Sequence, residues 1–160
     1  MKNIIIVIVL IISCIAVYFV LSTKDKLEYK SEELKNEQKE EDDNMTQTIK
    51  IIIKDQEFTV SLESSDTVTE FLKKLPLEIT MNELNGNEKY YYFDNSLPNH
   101  ATQIGRIEKG DIMLYGTNCL VLFYKTFSTS YSYTKIGKIE DPSSLEKVVG
   151  NENIKVKITK

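Results

Sequence analysis

The sequence holds no tryptophan, one histidine, one arginine and two cysteines among 160 residues, and the last three scarcities each narrow the classes of function open to it. Twenty basic residues stand against twenty-four acidic ones, and Arg106 is the one arginine. Nucleic-acid binders contact phosphates and base edges from a basic patch rich in arginine, so no nucleic-acid partner is expected. Cys14 sits in a long hydrophobic run and Cys119 far away in the body of the chain, so the two do not pair within one molecule. Neither a CxxC metal site nor a redox dithiol is present. No metal and no cofactor are expected, and the fold must rest on its own apolar core. A Ser-His-Asp or Cys-His device would have to use His100, with Cys119 as its thiol in the second case. His100 stands in Leu97-Pro-Asn-His-Ala101, which reads as a loop between strands, and no catalytic residue is assigned.

The first feature present in quantity is hydrophobic length. Ile4 to Leu21 is a run of eighteen residues in which Ser13 is the one distinctly polar side chain. At about 1.5 Å per residue a helix of that length spans roughly 27 Å, close to the ~30 Å hydrocarbon layer of a bilayer. Residues 1–23 are therefore read as a transmembrane or signal-anchor helix, with residues 4–21 in the membrane. Two other readings stay open. Ile11-Ile12-Ser13-Cys14 resembles a lipobox, which would make Cys14 a lipidation site, although Ile15 to Leu21 remain apolar. A cleaved signal peptide is the third reading, but no small-x-small site follows the run. Lys2 precedes the helix and Lys24, Lys26 and Lys30 follow it, so flanking charge does not fix orientation. The short tail before the helix resembles a signal n-region and favours a domain outside the cytoplasm.

Residues 24–45 form a charged linker. Lys24 to Asn44 carry nine acidic and five basic residues without glycine or proline, and Leu27, Tyr29 and Leu34 make no apolar stripe. Residues 46–160 are long enough for one core and show a period of two. Thr48 to Lys54 and Glu57 to Leu62 flank a turn at Asp55-Gln56. Further strands are expected at Leu77–Leu84, Lys89–Phe93, Asp111–Tyr115, Cys119–Phe127, Tyr131–Ile139 and Ile154–Thr159. Val68, Phe71, Leu72 and Leu75 mark a helix, with Thr67 and Glu70 spaced as a capping box and Pro76 as its stop. A second short helix is expected between Asp141-Pro142, as cap and first helical residue, and Gly150. About eight strands and two short helices suggest a closed barrel with its ends covered. Closure has a motive, because Leu120 to Tyr124 are apolar on both faces and would be exposed at an open edge.

Leu75-Pro-Leu77, Met81 to Phe93 (Met-Asn-Glu-Leu-Asn-Gly-Asn-Glu-Lys-Tyr-Tyr-Tyr-Phe), Gly110 to Gly116 (Gly-Asp-Ile-Met-Leu-Tyr-Gly), Leu120 to Tyr124 and Ser130 to Ile139 occur in an order that resembles the bacterial cyclophilin-like domains. The resemblance spans nearly all of residues 48–159. It implies a mainly β fold, a closed cyclophilin-like β-barrel, without implying prolyl isomerase activity. Cyclophilins with that activity resemble one another through a Phe-His-Arg segment whose arginine polarises the prolyl carbonyl. Here Phe-His-Arg does not occur, and Arg106 lies in Ile104-Gly-Arg-Ile107.

Nine tyrosines make up the aromatic excess. An aromatic body with a polar tip suits a pocket wall that grips an apolar ligand and orients it by hydrogen bonds. Alternation sets Tyr91 on the opposite face from Tyr90 and Tyr92, so one set lies outside the core. Glu83 and Glu88 flank Asn85-Gly86, a turn signal beside which two glutamates are ordinarily solvated. The candidate ligand-binding residues are Glu83, Asn85, Tyr91, Tyr115, Tyr124, Tyr131 and Tyr133. The expected function is a membrane-tethered module that binds a peptide or small molecule in a tyrosine-lined groove. An isomerase with an atypical site and a non-catalytic envelope interaction protein are the alternatives.

Overall fold

The computed structural model describes residues 47–160. The hydrophobic run, the lipobox-like cysteine Cys14 and the linker lie outside the described residues. Among the described residues no helix is long and apolar enough to cross a membrane.

Alternating apolar residues generate the strands. In β1 (Thr48–Ile53), Ile49, Ile51 and Ile53 are buried, and in β2 (Gln56–Leu62), Phe58, Val60 and Leu62 are buried. Antiparallel pairing sets Ile51 opposite Phe58 and Ile49 opposite Val60, so both strands present their apolar residues to one side. The connecting turn is Lys54-Asp55, one residue earlier than the sequence suggests, with Lys54 at φ 55°.

Next come α1 (Asp66–Leu72), β3 (Leu77–Leu84), β4 (Glu88–Tyr92), and the two-residue strands β5 (Thr102–Gln103) and β6 (Arg106–Ile107). β7 (Asp111–Tyr115), β8 (Cys119–Phe123), β9 (Phe127–Ser128), β10 (Ser132–Ile139), α2 (Leu145–Val149) and β11 (Ile154–Thr159) complete the chain. The long strands pair antiparallel in the order β2-β1-β11-β3-β4-β8-β7-β10, and β10 pairs back onto β2, which closes an eight-stranded barrel. Closure passes through Gly137. A Cβ there would lie 2.5 Å from the Ser61 carbonyl oxygen, so a side chain has no room where β10 meets β2. The β10–β7 register shifts at Lys135/Gly137, a bulge that turns Ile136 fully into the core.

β8 is buried along its whole length because it separates two apolar layers. Leu120 and Leu122 belong to the main core inside the barrel, whereas Cys119, Val121 and Phe123 join Ile107, Met113 and Tyr133 in a second cluster on the outer face. Each fully buried aliphatic side chain contributes about 1.5–3 kcal/mol relative to exposure. The outer layer is covered by the β6–β9 ribbon, where Ile107 pairs with Phe127. That ribbon also corrects the strand expected over Cys119–Phe127: β8 stops at Phe123, and Phe127 returns to cover the layer that Phe123 enters, with ring centroids 5.8 Å apart.

The helices fill the barrel ends as anticipated, with different caps. Ser65, not Thr67, caps α1, its hydroxyl accepting from the Val68 N–H at 3.2 Å. Thr67 is fully buried and donates to the Pro98 carbonyl at 2.9 Å, a partner 31 residues away that local spacing does not reveal. α1 ends at Leu72, before Leu75. Asp141 accepts from the Ser143 N–H instead of capping α2, which begins only at Leu145, so Pro142 is not its first residue. Gly150 ends α2 as expected, at φ 59°.

Candidate functional site

Strand β4 carries two chemistries on its two faces. Lys89 and Tyr91 point into the barrel, and Glu88, Tyr90 and Tyr92 point out. Inside, Tyr91 packs edge-on against Phe93, which meets Phe71 of α1 at one end of the barrel. Lys89 serves the other end. It is 0% exposed, and its ammonium donates to Glu83 Oε2 at 2.5 Å and to the carbonyls of Gly150 and Glu152, just beyond α2, at 2.8 and 2.6 Å. Three acceptors satisfy the three N–H donors of a lysine. Glu83 also accepts from the Tyr124 hydroxyl, at 2.9 and 3.0 Å to its two oxygens, and from the Gly86 N–H at 2.7 Å. Burial alone would raise its pKa, but the bonds from Lys89, Tyr124 and Gly86 outweigh burial and hold the carboxyl below its ordinary value. Burial, and then the bond to Glu83, push the Tyr124 hydroxyl well above the usual tyrosine range. Glu83, Lys89 and Tyr124 thus form a closed internal network. Glu83 is not the solvated turn residue expected beside Asn85-Gly86.

The outer face of β4 opens into a groove of about 300 Å³. Strand register builds it. Tyr92 pairs with Cys119, Cys119 with Tyr115, and Tyr133 follows on β10 beside Thr134↔Leu114, which makes a row across four strands. Cys119 and Val121 form the floor, Tyr90 and Tyr92 one wall, and Tyr115, Tyr131 and Tyr133 the other, with Leu84, Asn85 and Glu88 at one end. Tyr90 and Tyr92 stand 5.6 Å apart at 73°, Tyr115 and Tyr131 6.0 Å apart at 83°. Burial, then the Glu88 charge, push Tyr133 up to about 12. Burial raises the Cys119 thiol, which favours an inert floor residue over a nucleophile.

The exposed large hydrophobic residues among those described are Leu84, Tyr92, Tyr115 and Tyr131, and all four line this groove. A second, larger depression of about 450 Å³ lies over β1, β3 and β11, but Lys54, Lys155, Lys157 and Glu78 dominate its rim and it holds no aromatic ring.

The seven candidate residues therefore separate. Asn85, Tyr115, Tyr131 and Tyr133 meet in the groove, whereas Tyr91 packs against the barrel core and Glu83 and Tyr124 bond each other. Tyr90, Tyr92 and Glu88 join the groove without having been chosen from sequence. The alternation that sets Tyr91 apart from Tyr90 and Tyr92 was the available signal, with Tyr91 on the inner side. His100 Nε2 meets Asp66 Oδ1 at 2.8 Å with both side chains exposed, and Cys119 lies in the groove floor beside Tyr92 instead. Arg106 pairs with Glu108 at 2.7 Å on β6 and does not line the groove. Among the described residues no three His, Cys, Asp or Glu side chains gather as metal ligands.

The model of the cyclophilin-like family matches residues 51–159. The solution structure of a hypothetical protein from Archaeoglobus fulgidus is similar in fold, with a TM-score of 0.53 at 19% identity, covering 70% of this chain and 92% of that one. No curated protein matches the chain. The family match covers every residue that lines the groove and every strand of the barrel from β2 onward, and on it the chain belongs to the cyclophilin-like family.

Proposed function

We propose that this protein is a binding module tethered to the cell membrane through residues 4–21, with its barrel outside the cytoplasm and a ligand held in the tyrosine groove. The ligand is a small molecule or a short peptide segment. One observation carries the binding reading: the large hydrophobic side chains left exposed by folding converge on one concavity. Isolated exposed apolar residues need no explanation, but a gathered set marks a contact surface. The groove supplies rings, tyrosine hydroxyls, one amide and one carboxylate. Among the described residues its lining holds no arginine or lysine to polarise a prolyl carbonyl, so it supports binding better than amide isomerisation.

The test uses the full-length chain recovered from membranes in mild detergent. The chain is expected to stay with membranes after an alkaline wash. A screen of uncharged aromatic and aliphatic fragments is expected to raise its melting temperature for a subset of compounds. A ligand at a hundred times its Kd stabilises by about 2.7 kcal/mol. Release of the chain by the wash removes the tether, and uniform absence of stabilisation removes the binding module.

A further inference from the structure

Among the described residues, the groove lining carries one formal charge and no counter-charge. Glu88 opens β4, faces outward and is half-buried, and none of the ion pairs among the described residues includes it. Burial, and after it the charge of Glu83, lift its carboxyl above the ordinary value, as expected for an anion without a partner. Lys135 on β10 also faces outward, opposite Met113, but does not line the groove.

The walls carry the same sign. An aromatic ring presents a negative face, and neighbouring rings set nearly perpendicular form a corner that surrounds a guest on two sides. Tyr90 with Tyr92, and Tyr115 with Tyr131, are two such corners. Where cations stand over rings among the described residues, they lie elsewhere: Lys74 over Phe93, and Lys89 and Lys125 over Tyr124. The groove rings have none.

Hydration selects among cations. A metal ion or a bare ammonium surrenders its water only to several charged or converging oxygen ligands, whereas the groove offers one carboxylate beside an amide, tyrosine hydroxyls and ring faces, polar and apolar surface in similar measure. An ammonium whose substituents are alkyl groups is weakly hydrated and prefers ring faces. A groove of about 300 Å³ is at the small end of ligand sites.

We propose that the groove binds a small organic monocation, an alkylated ammonium whose apolar substituents rest against the tyrosine rings while its charge faces Glu88. This rests on the binding-module reading and narrows it to a ligand class.

The experiment compares choline with its uncharged isostere 3,3-dimethylbutan-1-ol, titrated calorimetrically into the full-length chain. Choline is expected to bind about tenfold or more tightly than the alcohol. Glu88→Gln is expected to abolish that preference without lowering the melting temperature at neutral pH. Tyr131→Ala is expected to weaken both ligands. Equal affinity of the two compounds for the unaltered protein overturns the cationic ligand and leaves the binding module standing. Failure of choline while uncharged fragments still stabilise the protein does the same. Failure of every ligand, charged or neutral, overturns both.

Discussion

Two carboxylates five residues apart, Glu83 and Glu88, sit on the same hairpin and meet opposite fates. Glu83 faces the barrel interior, where Lys89, Tyr124 and Gly86 satisfy it. Glu88 faces the groove and forms no ion pair among the described residues. The inner cluster places every donor of its lysine on an acceptor, whereas the outer one leaves rings and a carboxylate facing open space. Complete satisfaction marks a group that holds the fold together. On the proposed reading, a carboxylate left without a protein counter-charge at a concave surface is free to meet a guest. The pKa directions follow the same division, Glu83 down and Glu88 up.

The sharpest way to break this contrast is to remove the inner ammonium. Lys89→Met leaves Glu83 and the carbonyls of Gly150 and Glu152 without their shared donor, and loss of one partner from a buried pair costs about 3–5 kcal/mol. Urea denaturation of the full-length chain is expected to show a drop of that order. A change below about 1 kcal/mol would mean that the network is dispensable and that the inner and outer sites do not differ in kind.

A smaller effect separates the carboxylates by pH. Glu83 has a folded pKa below its unfolded one, so its contribution is fully present above the unfolded value near 4.5 and is lost as pH falls through the folded value. Glu88 runs the other way: the folded state holds its proton more tightly, so its contribution favours folding at low pH and fades as pH rises through its raised value. Glu83→Gln is therefore expected to lower the melting temperature at neutral pH and to flatten its decline on acidification. Glu88→Gln should do neither. Identical profiles for the two variants would dissolve the distinction.

The smallest effect belongs to the rim. Tyr131 is 61% exposed, and Tyr131→Ala is expected to change stability by no more than about 0.5 kcal/mol in the same denaturation. A larger loss would make the tyrosine wall part of the fold instead of a surface held open.

The barrel was legible because its signals are local and repeated. Period-two apolar residues in Thr48–Ile53, Gln56–Leu62 and Ile154–Thr159 specify strands and the face each buries. The double-sided apolarity of Leu120 to Tyr124 pointed to barrel closure, while the second apolar layer that covers the outer face of β8 became visible only in the fold. Caps were less legible. Thr67 has the spacing of a capping residue, but its hydroxyl is taken by the distant Pro98 carbonyl, leaving the role to Ser65. Of the tyrosines, alternation showed that the Tyr90–Tyr92 triplet must divide, while which face was inward depended on how β4 lies between β3 and β8.

The sequence by itself determined the strand periodicity, the two short helices and the family, because each is written in neighbouring residues or in their order. Only the tertiary structure decided which carboxylate is paired and which tyrosines share a wall. Those outcomes depend on register between strands far apart in the chain, where a shift of one residue exchanges inside for outside. Lys89 shows the limit most clearly. In sequence it is one of many lysines, and it becomes the buried centre of a network only because closure brings Glu83, Gly150 and Glu152 around it.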